Sequence, residues 1–315
     1  MKRRMQLDGT NALVTGASSG IGRAVAVELA RRGARVALVA RDAAALRDTA
    51  SEICARHGHA VVLPADLSRR HEAAAVARWA IDALGAVDIL VNNAGVQIFG
   101  PVCAAGDGDA ARALMETNFF APLALASALV PGMRERGTGC VVQVSSLAAT
   151  MPTPLSGHYS ASKAALGNAT EAMRCELRGT GVQVLHVIPG PVDTPMLAEG
   201  RAIAAEIFDG TPRGSAAELA RRIADGIEAG RRTLVYPWWA LVGRLLPTLA
   251  TAIARYVFRR LEFDPARVIQ AGSRGADAVR VERRRQLERA APDHPDSIGE
   301  SLLRNTKRRI PSCSR

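Results

Sequence analysis

Of the three tyrosines in the 315-residue chain and its three lysines (Lys2, Lys163 and Lys307), one of each stands in the run Tyr-Ser-Ala-Ser-Lys, as Tyr159 and Lys163. Four residues apart, the two share one face of a helix that carries them. An ammonium beside a phenol favours the phenolate and draws a tyrosine down from its ordinary pKa of about 10. That prepares the hydroxyl for proton transfer near neutral pH. A tyrosine and a lysine on an ordinary amphipathic surface would show the same spacing, so the pair gains meaning from what surrounds it.

A second constellation suits phosphate. Thr15, Gly16, Ser18, Ser19, Gly20, Ile21 and Gly22 follow a strand-like apolar run and open a helical one, in a Gly-x-x-x-Gly-x-Gly spacing. Glycines at such a turn let the backbone approach a pyrophosphate, which then rests on the unpaired amides of the helix N-terminus. The second apolar run ends at Ala40, where NAD-selective sites place an acid for the ribose 2'-hydroxyl, and Arg41 comes next. A guanidinium pairs with a 2'-phosphate that an acid would repel, so NADP (NADPH) is expected in preference to NAD. A solvated arginine beside a helix-capping Asp42 is the plainer alternative. Asp66 and Leu67 after the third run, with Asn92, Asn93, Ala94 and Gly95 at the end of the fourth, would line the same crevice.

These residues need a scaffold that brings them to one edge. Apolar runs at Ala12–Thr15, Val36–Ala40, Ala60–Pro64, Ile89–Val91, Val141–Val144 and Val182–Ile188 alternate with helical patterns, among them Ile21–Arg32, Ala43–His57, Glu72–Leu84 and Ser160–Arg178. Nearly unbroken apolar strands separated by helices predict an α/β fold: a doubly wound, Rossmann-like parallel sheet covered on both faces, with ligands beyond the carboxyl ends of its strands. A helix from Ser215 to about Ala229 and an edge strand at Thr233–Tyr236 would complete a catalytic domain over residues 5–238. An apolar and basic helical extension at 239–263 and a basic, largely disordered tail at 264–315 would follow.

With the elements in place, the chain resembles the short-chain dehydrogenase/reductase superfamily in its 250-residue, single-domain branch. The resemblance rests on Thr15 to Gly22, Asp66, Asn92 to Gly95, Asn118, Ser146, Tyr159, Lys163, and Pro189-Gly190 followed by Val192 and Thr194. Ser146 stands thirteen residues before Tyr159, which selects it over neighbouring Ser145. The resemblance implies that Tyr159 is the acid/base, that Ser146 hydrogen-bonds the reacting oxygen, and that Lys163 holds the nicotinamide ribose and favours the tyrosinate. It implies further that Asn118 keeps a water beside Lys163 and that Pro189, Gly190, Val192 and Thr194 border the nicotinamide. Ser19 stands where some NADP-using members carry a basic residue, so cofactor choice rests on Arg41. A non-catalytic protein that senses a nucleotide or binds a partner on the same fold is the alternative, and the intact Asn118, Ser146, Tyr159 and Lys163 set argues against it.

Substrate recognition is expected from Pro195 to Gly210, with contributions near Gln97–Phe99 and Thr150–His158. Met196, Leu197, Ile203, Ile207 and Phe208 fall at roughly helical spacings, fitting an apolar lid or a packed helix. Few charges line these segments, which predicts a lipophilic carbonyl or alcohol as substrate. His158 and His186 lack metal-like partners in sequence and are read as structural, with no metal site expected.

Composition narrows the class. Hydrophobic residues at 48% and charged residues at 23% exclude global disorder, and the five widely spaced cysteines (Cys54, Cys103, Cys140, Cys175, Cys313) argue against a disulfide framework or zinc site. A reducing cytoplasm is the natural compartment, since Lys2, Arg3 and Arg4 are followed by no apolar signal region. The net charge is +11, and residues 264–315 hold twelve basic against seven acidic side chains. The stretch Trp238–Phe258 is apolar but interrupted by Arg244 and Pro247, against a membrane span. Three readings remain for it: a peripheral membrane contact, a subunit-contact helix, or a flap over the pocket. A homo-oligomer is expected, and no specific nucleic acid.

Overall fold

The computed structural model describes residues 5–151, 153–203 and 212–246, together with 248, 251, 252, 255 and 256. The expected lid residues Ile207 and Phe208 and the tail at 264–315 lie outside the described residues.

Runs of Val, Leu and Ile form seven strands: β1 (Asn11–Thr15), β2 (Arg35–Ala40), β3 (His59–Pro64), β4 (Ile89–Asn92), β5 (Gly139–Val144), β6 (Val182–Pro189) and β7 (Thr233–Tyr236). They pair side by side in the order β3-β2-β1-β4-β5-β6-β7, every pair parallel. Parallel pairing requires a crossover after each strand. Those crossovers are α1 (Gly20–Arg31), α2 (Ala43–Cys54), α3 (Glu72–Leu84), a broken run of α4 (Val102–Ala105), α5 (Asp109–Met115) and α6 (Ala121–Glu135), then α7 (Gly157–Glu176), and finally α8 (Pro195–Ile203) and α9 (Ala216–Glu228). After β7 a short α10 (Ala240–Leu245) follows.

Because side chains alternate along a strand, each sheet face gathers its own core. Val14, Leu38, Val91 and Val142 pack with Val25 and Leu29 of α1 and Leu219, Ile223 and Ile227 of α9. Leu13, Val39, Leu90 and Val141 pack on the other face with Val76 of α3 and Leu125, Leu129 and Met133 of α6. Arg32, at the end of α1, ties α1 to α9 through Glu28, Asp225 and Glu228 at 2.7–2.8 Å. Between α5 and α6 the chain widens into a π-turn, Glu116–Phe120, in which the Ala121 amide reaches back to the Glu116 carbonyl.

All seven strands end on one edge, and the order reverses between β1 and β4. That reversal leaves a crevice in which such sheets bind ligands. Gly22 sets how closely α1 can approach it, since a Cβ there would lie 2.1 Å from the Gly16 carbonyl oxygen and 2.4 Å from Asn93 Nδ2. Gly132, inside α6, meets only the flexible end of Arg136, at 3.2 Å. Gly22→Ala is therefore expected to cost about 1–3 kcal/mol as overpacking, or roughly 3–10 °C in Tm. Gly132→Ala should leave Tm unchanged or raise it slightly, as removal of helix-interior glycine does. Thermal melts of the two variants against the parent check the contrast.

Candidate functional site

The edge of the sheet is held together by its own polar side chains. Thr15 Oγ1 donates to the Val91 carbonyl at 3.2 Å and accepts from the amides of Asn93 and Ala94, both at 3.0 Å. The Asn93 side-chain amide donates back to the Thr15 carbonyl at 3.0 Å. This clasp sets the Asn93-Ala94-Gly95 segment against the glycine turn, where Gly16 and Gly20 take positive φ of 68° and 53°. Thr15 and Gly22, expected beside the cofactor, thus stand behind the cavity wall and shape it.

In front of the clasp opens a cavity of about 540 Å³. Its floor includes Gly16, Ser18, Ser19, Gly20 and Ile21 at the start of α1, and its far rim includes Arg41, Asp66 and Leu67. Asn93, Ala94 and Gly95 line the centre, with Pro189, Gly190, Val192 and Thr194 across from them. The N-cap side chain of α1, Ser19, makes no capping hydrogen bond, whereas Asp42 caps α2 through the amides of Ala44 and Ala45 at 2.9 and 3.0 Å. The first-turn amides of α1 are therefore left for another acceptor. Arg41 is exposed at the rim, and Asp66 is fixed by the amide and hydroxyl of Ser68 at 3.2 and 2.7 Å.

The other end of the cavity holds Ser146, Tyr159 and Lys163. Helix α7 begins at Gly157, earlier than the sequence pattern predicts, so Tyr159 lies in its first turn and Lys163 one turn on. Lys163 is buried, with Nζ donating to the Val144 carbonyl at the end of β5 at 3.0 Å and standing 5.9 Å from the centroid of the Tyr159 ring. Burial pushes the ammonium down to about 8. The same burial pushes the Tyr159 phenol up, and its hydrogen bond with the Ser146 hydroxyl opposes that rise. The expectation that the phenol is drawn down is thereby modified: in the protein alone burial outweighs what favours the phenolate, and the phenol stands above its ordinary value.

Asn118 sits in the π-turn, fully buried, and does not line the cavity. Its Oδ1 accepts from the Val96 amide at 2.8 Å, while Nδ2 donates to the Val96 carbonyl at 2.9 Å and to Ser162 Oγ at 3.0 Å. Both amide hydrogens are committed, so the side chain staples the segment after β4 to α7 and has no donor left for a water. Ser145 turns away from Ser146 into the protein, its hydroxyl 2.7 Å from His186 Nε2, and His186 Nδ1 lies 3.3 Å from Glu171 Oε1. Burial lowers the His186 pKa, with Glu171 opposing. His158 lies 2.6 Å from the Gly106 carbonyl. Among the described residues no cluster of three metal-ligating side chains occurs.

Among the wall residues, Leu147 after β5 lies outside every segment expected to contribute, Met151 lies in the Thr150–His158 segment, and Trp239 stands just before α10. Trp239 lies in one of the stretches read as a flap, and its indole meets the sheet edge where Gly190 has no side chain, a Cβ there falling 3.5 Å from Cη2.

A family model described as short chain dehydrogenase matches residues 10–204. A short chain dehydrogenase of Pseudocercospora fijiensis is 42% identical over 199 residues, spanning 63% of this chain and 64% of that protein, just under two thirds of its length. A hydroxysteroid 11-beta-dehydrogenase 1-like protein of Gallus gallus is 38% identical over 242 residues, spanning 74% of this chain and 80% of its own. Among solved structures, a metagenomic short-chain oxidoreductase in complex with NADP superimposes with a TM-score of 0.62 at 34% identity, covering 73% of this chain and 96% of that one. The agreement runs from β1 through the segment after β6 and includes the shape of the sheet as well as its sequence, so the chain belongs to the short-chain dehydrogenase/reductase family of NAD(P)-dependent oxidoreductases.

Proposed function

We propose that the protein is an NADP-dependent oxidoreductase that interconverts a lipophilic ketone or aldehyde with its alcohol. The observation that carries this reading is one cavity lined both by Ser146, Tyr159 and Lys163 and by the apolar side chains of Leu147, Met151, Met196, Leu197 and Trp239. A site with three convergent polar groups against an apolar surface orients a carbonyl while accepting a hydrocarbon body. The relative named for hydroxysteroids is in keeping with such a substrate.

The residues present fit a nicotinamide dinucleotide. The uncapped start of α1 suits a pyrophosphate, and the buried Lys163 ammonium, with two further donors, suits the nicotinamide ribose. Arg41, directly after β2, suits a 2'-phosphate, and one structural neighbour at 34% identity is solved with NADP. The bound nicotinamide supplies or accepts the hydride.

The protein's part is placement and proton transfer. The single Ser146 hydroxyl hydrogen, which bonds the Tyr159 oxygen in the protein alone, turns to the reacting oxygen when substrate is present. Tyr159 gives its proton to the carbonyl oxygen in reduction and takes it from the hydroxyl in oxidation. Lys163 holds positive charge one helical turn below, and Asn118 keeps the Val96 backbone and α7 in register around it.

Three outcomes test this account. Tyr159→Phe should lower turnover by at least about a hundredfold, the low end for general acid-base catalysis, with cofactor affinity nearly intact; wild-type turnover in that variant would contradict the mechanism. Arg41→Ala should weaken NADPH binding roughly ten- to a hundredfold and NADH binding far less, read by fluorescence titration. The third concerns stability. A lysine held at about 8 rather than 10.5 costs the fold on the order of 3 kcal/mol wherever the folded protein keeps it charged. Lys163→Met should therefore melt higher than the parent at pH 7 while losing turnover. Its advantage should shrink as pH rises from about 8 to 10.5, because there the folded parent has shed the proton that its unfolded chain still holds.

A further inference from the structure

Between Ala229 and Leu261 the chain carries six arginines (Arg231, Arg232, Arg244, Arg255, Arg259 and Arg260) and no Asp or Glu. Helix α10 lies in this acid-free stretch, and its two sides differ. On the inner side Ala240 is fully buried, and Gly243 is so close to the cavity wall that a Cβ would stand 3.1 Å from Met151 Sδ and 3.2 Å from Leu147 Cδ1. On the outer side Trp238 is 80% exposed and Leu245 65%, with Leu241, Val242 and Leu246 exposed beside them. Arg231 and Arg232 are exposed before β7, and Arg255 and Tyr256 are exposed further along the same stretch.

We infer that the outer side of α10 docks on an anionic lipid surface. Isolated apolar side chains on a protein surface need no explanation, but a contiguous set led by a tryptophan, in a stretch of chain that carries arginines and no acid, has the composition of an interfacial helix. Its apolar side enters the boundary between headgroups and acyl chains, and its arginines meet lipid phosphates. A second copy of the chain is a poorer occupant, because a two-fold contact would bring two acid-free stretches that carry arginines together. The inner side of the same helix packs against the cavity wall, so docking brings the apolar end of the cavity to the place where lipophilic molecules partition. The flap and the membrane contact are thereby the two sides of one helix.

The test reads binding rather than turnover, so it is independent of the reaction assigned above. Full-length protein is cosedimented with phosphatidylcholine vesicles and with vesicles containing phosphatidylserine, at about 20 mM and about 500 mM salt, which spans the range from weak to strong screening. The parent should pellet with the anionic vesicles and keep a salt-resistant fraction. The triple variant Trp238→Ser, Leu241→Ser, Leu245→Ser should lose that fraction by at least roughly tenfold while binding cofactor as the parent does. In the parent, brominated lipids should quench tryptophan fluorescence, and Trp238→Phe should remove most of the quenching. Parent protein that stays in the supernatant at low salt, or that pellets without quenching, overturns the inference. So does a concentration-dependent dimer that the triple variant abolishes, since the outer side would then be a contact between copies.

Discussion

A lysine ammonium withdrawn from water at the end of β5 is the constraint around which the cavity end of this fold is arranged. Lys163 retains 3% of its surface and bonds to the Val144 carbonyl, a partner that neutralises no charge. A charge buried against a dipole raises the energy of the folded state, as its lowered pKa records. The neighbourhood is built to tolerate it. Gly95 has no side chain where a Cβ would stand 3.3 Å from Nζ, and the π-turn delivers Asn118 to clasp Val96 and Ser162 on either side. What stabilises the molecule lies elsewhere, in the two apolar cores on either face of the sheet.

The geometry at the opposite end of the cavity follows from a second economy. Thr15 and Asn93 spend their side chains on each other's backbones across the β1–β4 reversal, leaving the ligand side to bare amides and glycine. A pyrophosphate is well served by amides at a helix start, which have fixed direction and little conformational freedom to lose. The same division recurs at Ser145 and Ser146. Ser145 anchors the end of β5 to His186, and Ser146 caps the next turn through the Ala148 amide and lines the cavity beside Tyr159. Adjacent residues of one type therefore do different work because the strand end turns one inward and the other outward.

Much of this was legible in the sequence where a local pattern forces a structure. The strands emerged within a residue or two because β-branched apolar runs between helical patterns admit few alternatives, and β7 and α3 coincide with their expected ranges. The glycine turn, Arg41, Asp66, the Asn93 to Gly95 segment, Ser146, Tyr159 and Lys163 all reach one cavity. Less was legible where tertiary contacts decide. The long helical run Asp109–Glu135 carries Pro122 and Pro131 inside it and follows Gly108 without a side-chain cap, so its start is unmarked and only Gly137 signals its end. The direction of the Tyr159 shift was misjudged because spacing places Lys163 near the ring but says nothing of burial. Trp239 belongs to a turn leading into a six-residue helix, too short for periodicity to show which side faces in.

The central claim, that a charged lysine is held in a dry seat beside the tyrosine, can be read directly because the chain has only three lysines. Lysine-selective NMR of the side-chain ammonium groups, followed over pH in the protein without added nucleotide and assigned with Lys163→Arg, should show that the signal lost in Lys163→Arg titrates at about 8. If that signal titrates instead at the ordinary lysine value of about 10.5, the ammonium is solvated and the account of the site is wrong.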